Sequence, residues 1–166
     1  PVPDDTTTMK KHFPLLIAVL LFLPHAVPVA QDYLTLHRSA IVVDGHNDVL
    51  GRVMSGGSME RRADKGHSDL PRFREGGLDV QLFSVWVPRK LKGNDAWRYA
   101  LAEIDSLRAV ASRNPSRLAL ALEAQDIDRT VGRNAVAGVI ALEGAVCIDG
   151  RRDRIIELYR RGLRSF

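Results

Sequence analysis

Three residues of this chain have the types and spacing for metal chemistry: His46 and Asp48 in IVVDGHNDVL (41–50), and Glu143 in GVIALEG (138–144). Imidazole nitrogen and carboxylate oxygen are donors that zinc accepts. Side chains alternate along an extended chain, so His46 and Asp48 share a face if the backbone stays extended past Gly45. Asp44 falls on the same side and is placed to orient His46 through its second ring nitrogen, as carboxylates behind metal ligands commonly do. The triplet alone does not decide the matter, because His and Asp at such spacing also serve turns through local hydrogen bonds. Glu143 adds weight. Val139, Ala141 and Glu143 share one face of an apolar run and leave the carboxylate at its carboxyl end. Unpaired there, it would incur a large desolvation cost or hold its proton. A cation shared with His46 and Asp48 removes that cost, and a carboxylate can bridge two ions. A salt bridge to one of the many arginines is the alternative.

These groups need a scaffold that brings strand ends together. Residues 31–39 read as a short helix, and Ile41, Val42 and Val43 as a buried strand over 41–44. Residues 51–67 are rich in glycine and charge, without a period, and are expected to form a long loop of the kind that often carries function. SDLPRFREGG (68–77) predicts a short helix, capped by Ser68 or Asp69, with Pro71 in its first turn and Gly76-Gly77 at its end. VQLFSVWV (80–87) is apolar at nearly every position, as a strand buried on both faces should be. Asn94 is placed to cap a long helix over 95–113, whose Trp97, Ala100, Leu101, Ile104, Leu107 and Ala111 recur at helical spacing. LALAL (118–122) is a short apolar stretch, 124–134 a helix, 135–143 a strand and 151–161 a helix. LRSF (163–166) starts a further strand. Alternating strands and helices predict a parallel α/β sheet, and such folds hold their sites at the carboxyl ends of the strands. The chain stops as a strand begins, which leaves an open edge and reads as the first part of a larger domain.

The totals fit an ordinary globular protein: 166 residues, 45% apolar, formal net charge +4. That charge is mild and dispersed, so nucleic acid is not expected as a partner. The densest basic run, RRDRIIELYRRGLR (151–164), also carries acids and an apolar stripe, and reads as the solvated face of a helix. The single cysteine, Cys147, excludes an internal disulfide and is expected to be a small core residue. Met9 is followed by Lys10, Lys11 and the apolar run FPLLIAVLLFL (13–23), and VPVA (27–30) precedes Gln31. This is the pattern of a secretory signal peptide over 9–30, with 1–8 as an upstream extension. Export to a secreted or periplasmic location is expected. The membrane is touched only through this segment, should it stay uncleaved.

DGHNDVL (44–50), SDLPRFREGGLDVQLFSVWV (68–87) and GVIALEGAVCID (138–149) resemble, in order and spacing, the membrane dipeptidase (renal dipeptidase) family of zinc peptidases. The resemblance spans nearly all of 31–166. It implies the N-terminal part of a (β/α)8 barrel of the TIM type, incomplete in this chain. It implies a site for two Zn2+ ions, a dipeptide substrate in which a D-residue is tolerated at the C-terminal position, and a homodimer for a full-length parent. His46 and Asp48 would bind one zinc, and Glu143 would bridge the two as the catalytic carboxylate. The metals would activate water and polarise the scissile carbonyl.

Two departures stand out. The family commonly reads Glu-Gly-Gly-His at the third block, its histidine touching substrate, where this chain has Glu143-Gly144-Ala145-Val146. The family's remaining zinc histidines, its arginine and its aspartate lie on later strands than this chain contains. The expectation is therefore a zinc dipeptidase whose 166 residues alone do not turn over substrate. A metal hydrolase of the amidohydrolase type acting on another amide or ester is the first alternative. A secreted, non-catalytic binding relic of the fold, suggested by Val146, is the second.

Overall fold

The structure, a computed structural model, describes residues 33–166. Residues 9–30, expected to be a signal peptide, and the extension expected before them lie outside the described residues. The chain divides into residues 1–36 and 37–166. Of the first unit only the start of helix α1 (Tyr33–Ser39) is described. Among the described residues the second unit holds every strand, and its elements run β1 (Val43–Asn47), α2 (Val49–Met54), α3 (Leu70–Glu75), β2 (Val80–Trp86), α4 (Gly93–Arg113), β3 (Leu118–Leu120), α5 (Ala124–Val131), β4 (Val136–Glu143), α6 (Arg152–Arg160) and β5 (Leu163–Ser165). No helix among the described residues is long and apolar enough to cross a membrane.

All strand pairings among the described residues are parallel, as the alternation of elements predicts. The order runs β1-β2-β4-β3, and β5 also pairs with β4. β2 takes one edge of β4 along its whole length. β3 and β5 therefore share the other edge, β3 against Val136–Gly138 and β5 against Ile140 and Ala141. Side-chain alternation splits the sheet into two faces. Phe83 and Val85 of β2 join Val136, Ile140 and Leu142 of β4 in the main core, under Leu50, Leu70, Ile104, Leu107 and Leu158 of the helices. The other face carries a smaller cluster of Val80, Ala121 and Ala137, with Leu82 and Val139 packed on it. Gly138 is required by this packing, since a Cβ there would stand 3.0 Å from the Phe83 ring and 3.2 Å from Leu118.

Several boundaries depart from the expectations. The β1 ladder begins at Val43 rather than Ile41, because the Asp79 carboxylate binds the Val42 N–H (2.8 Å) and pins the approach to the strand. Ile41 and Val43 are exposed, not buried. Among the described residues β1 pairs with β2 alone, so its apolar run lacks cover on one side. Residues 51–67 are not wholly loop. Helix α2 runs to Met54 and buries Val49 and Leu50, its period masked in the sequence by Gly51. LALAL contributes a strand of three residues. Helix α4 starts at Gly93 with Lys92 at its N-cap. Asn94 does not cap it, because its side chain accepts a hydrogen bond from Arg154 (2.7 Å). Nor is the basic run 151–164 simply a solvated face. Arg154 is buried, donates to the Cys147 carbonyl (2.8 Å) and stacks 5.2 Å from the Trp97 ring. Cys147 is a buried core residue, as expected, and burial pushes its thiol pKa up.

One anchor of the loop between α2 and α3 is a buried carboxylate. Asp69 is fully buried at the N-cap of α3 and accepts from the N–H groups of Arg72 (2.9 Å) and Ala63 (3.1 Å) and from the Arg72 guanidinium (2.6 Å). Burial alone would raise its pKa. The two N–H donors and the charges of Arg72 and Arg62 outweigh that and hold the carboxyl below its ordinary range.

Candidate metal centre

β1 delivers His46 at the carboxyl end of the sheet, and β4 delivers Glu143 as its last residue. The two strands are not neighbours, because β2 lies between them. Alternation puts Ser84 of β2 on the same face as Glu143, and Ser84 is paired with Ala141. The buried Ser84 hydroxyl donates to Glu143 Oε2 (3.1 Å). The carboxylate is thereby drawn across β2 towards His46, whose Nε2 lies 3.3 Å from Glu143 Oε2.

Asp48 arrives differently from the expectation. The chain is no longer extended there. β1 ends at Asn47, and Asp48 is the N-cap residue of α2, with φ −89° and ψ 18°. What brings His46 and Asp48 together is a bulge and a turn. The β1–β2 register passes from Asp44↔Gln81 to Asn47↔Phe83, three steps on β1 against two on β2. An extra residue of this kind re-aims side chains and is characteristic of strand ends beside functional sites. Gly45 does not supply the effect, since its φ is not positive and a Cβ there would meet nothing within 4 Å. His46 Nε2 stands 3.2 Å from Asp48 Oδ1. Asp44 also departs from its expected role. Its Oδ1 accepts from the backbone N–H of His46 (3.1 Å), closing a local turn, and that bond, rather than one to the ring, fixes it.

His46, Asp48 and Glu143 thus each offer one ligand atom, all within 4.8 Å of one another, and among the described residues they form one group able to hold a metal ion. All three are exposed, so as ion pairs they contribute little to stability. Their spacing fits an ion. Donors around a tetrahedral zinc at its usual bond lengths stand about 3.3 Å apart, and the two contacts of Nε2 are 3.2 and 3.3 Å. One nitrogen and two carboxylate oxygens are a donor set suited to zinc.

Four residues around this group lie beyond the expectations from sequence. Asn47 and Gln81 hold the bulge through their side-chain amides, and Ser84 aims Glu143. Glu103 of α4 lies buried behind the mouth, 1% exposed, and its Oε2 has no hydrogen-bond partner. Burial pushes its pKa up to about 8, the backbone N–H of Trp86 opposes this, and the negative charge of Asp48 adds to the rise. The sequence does carry signals for three of them. Gln81 and Ser84 are polar residues inside an apolar strand, and Glu103 sits on the buried stripe of α4 between Ala100 and Ile104. Val146, where the resembling family has histidine, packs against the main core.

The family model that matches the chain describes membrane dipeptidases, peptidase family M19, over residues 30–166. Dipeptidase 3 of Mus musculus is 31% identical over 140 residues, which are 81% of this chain and 28% of the mouse protein. Dipeptidase 3 of Rattus norvegicus matches to the same extent. Among solved structures, the metallopeptidase dipeptidase AC of family M19 superposes with a TM-score of 0.70 at 28% identity, covering 75% of this chain and 41% of that one. A metallopeptidase from Rhodobacter sphaeroides, solved with a phosphinate mimic of the dipeptide L-Ala-D-Ala, shares the fold with a TM-score of 0.70 at 24% identity, over 75% and 44%. The chain spans 28% of the length of these curated relatives.

Proposed function

The chain belongs to the membrane dipeptidase family of metallopeptidases, and from that premise we propose that His46, Asp48 and Glu143 are its zinc ligands in a dipeptide-hydrolysing site. The observation that carries the reading is the convergence of one imidazole nitrogen and two carboxylate oxygens from β1, the turn into α2 and the end of β4. Zinc held there would polarise a scissile carbonyl and lower the pKa of water. The chain's own residues set where that chemistry can happen. The bulge presents His46 Nε2 to the ion position. Asp48 and Glu143 supply negative charge to it. The Ser84 hydroxyl occupies one lone pair of Glu143 Oε2 and keeps that carboxylate turned inward, where it would serve as a ligand. Dipeptides are the substrate class that the relatives' names support, and L-Ala-D-Ala is the dipeptide mimicked in the Rhodobacter protein.

Three ligand groups cannot fill two tetrahedral ions, so the 166 residues by themselves are expected to bind zinc without turning over dipeptide. Val146 favours a second reading, a binding relic, because an apolar side chain packed against the core stands where the resembling family has histidine. The segment 9–30 supports an exported location. The test is calorimetric titration of the chelator-treated chain with Zn2+, followed by an L-Ala-D-Ala hydrolysis assay. One zinc bound per chain, lost in His46→Ala, is the expected result. No zinc binding, or binding unaffected by His46→Ala, would overturn the metal assignment. Turnover abolished by His46→Ala would overturn the expectation of inactivity.

A further inference from the structure

We infer that Gln81 is a positioning residue for the metal centre, acting from the back of the sheet through Asn47; the inference rests on the zinc reading above. Gln81 is fully buried on β2 and shares the face of Phe83 and Val85, opposite to the face that carries Ser84 and Glu143. Its side chain makes contact on both sides of the bulge. Gln81 Nε2 donates to the Asp44 carbonyl (3.3 Å), before the extra residue. Gln81 Oε1 accepts from Asn47 Nδ2 (3.1 Å), after it. A bulge interrupts the backbone ladder, and here a side-chain amide supplies bonds to the strand on either side of the interruption. His46 lies between the two anchored points.

Asn47 extends the same device to Asp48. Its Nδ2 also donates to Ser68 Oγ (2.9 Å), and its Oδ1 accepts from the Val49 N–H (3.1 Å). Asp48 is the residue spanned by that last bond. Both ligands of the β1–α2 corner are thereby held between fixed points, with no atom of the clamp on the ligand face. Groups that orient metal ligands without touching the metal commonly change affinity by about 10–100-fold when removed. Gln81 also donates to the Leu82 carbonyl (3.1 Å), so its amide nitrogen and oxygen are both engaged, which restrains its rotamer.

The test compares the full chain with Gln81→Met, a near-isostere that removes every one of these bonds, and with Gln81→Glu. Buried there, the glutamate is expected to hold its proton and so keep both an acceptor and a donor. Zinc affinity is measured by calorimetry, thermal unfolding by circular dichroism, and amide exchange by NMR. Gln81→Met is expected to retain a cooperative unfolding transition, to bind zinc about 10–100-fold more weakly, and to exchange the His46 and Val49 amides faster while the Val85 and Ile140 amides stay protected. Gln81→Glu is expected to restore most of the affinity. Unchanged affinity in Gln81→Met, or a loss not restored by Gln81→Glu, overturns the role. If the parent chain itself binds no zinc, the zinc reading fails separately, and the clamp is then decided by amide exchange alone. Unchanged His46 and Val49 exchange would refute it. Should Gln81→Met not fold, Asn47→Ala, at a partly exposed position, makes the same comparison from the other end of the clamp.

Discussion

Replacing Glu103 by glutamine should change how the stability of this protein depends on pH. In the folded chain the carboxyl is buried and its pKa is pushed up to about 8, against 4.5 for an ordinary glutamate, by burial first and then by the charge of Asp48. Between those two values the folded state keeps a proton that the unfolded state releases. Stability therefore falls as pH rises through this window and levels off above about 8. The gap corresponds to about 5 kcal/mol, a large part of the ~5–15 kcal/mol that a domain of this size commonly has. Glu103→Gln preserves an oxygen for the Trp86 N–H but puts an amide nitrogen where Oε2 is unpartnered, which costs about 1–3 kcal/mol at any pH. The variant should be less stable than the parent at pH 5 and more stable at pH 9, by about 2–4 kcal/mol at the alkaline end. Urea unfolding followed by circular dichroism from pH 5 to 9, with chelator present so that Asp48 keeps its charge, measures both curves. Two curves that run parallel across the window would show that Glu103 is not titrating, and the reasoning from its burial would be wrong.

The packing and the site set three further outcomes. Gly138→Ala forces a Cβ to 3.0 Å from the Phe83 ring and should lower stability by about 1–3 kcal/mol, read from the urea midpoint. Asp69→Ala removes the acceptor for the Arg72 and Ala63 N–H groups and leaves the Arg72 guanidinium without its carboxylate, at a cost of about 3 kcal/mol at neutral pH. Because the folded Asp69 pKa is depressed below 3.8, the parent's advantage over this variant is complete above that value and should shrink as pH falls beneath it, in the same unfolding assay. Ser84→Ala frees the Glu143 carboxylate from its hydroxyl donor and should weaken zinc binding about tenfold while leaving the thermal midpoint within a few degrees.

The parts of this molecule written in strong periodicities are readable from the chain. The largely apolar run at 80–87 and the alternation of Val139, Ala141 and Glu143 place β2 and β4, and with them the carboxylate at the mouth of the sheet. The corner at 44–49 is harder. Alternation presumes an extended backbone, and the bulge between Asp44 and Asn47 breaks that presumption while still leaving His46 beside Asp48. No local residue signals the bulge, because its partner Gln81 is distant in sequence and Gly45 has an ordinary conformation. The exposure of Ile41 and Val43 is not legible either, because burial depends on what covers a strand, which its own residues do not encode. Arg154 shows the converse: a basic residue in a basic run, hidden because three carbonyl and amide oxygens and the Trp97 ring surround it.

The strands that carry His46 and Glu143 pair with β2 but not with each other. These two side chains lie on the order of a hundred residues apart, a closure whose entropy cost grows only slowly with length. An ion gripped by both ends would act as a reversible cross-link over most of the described residues. It would favour the folded ensemble in proportion to the logarithm of its free concentration. Availability of metal in the surrounding compartment would then set how long the sheet persists as well as what chemistry its rim can perform.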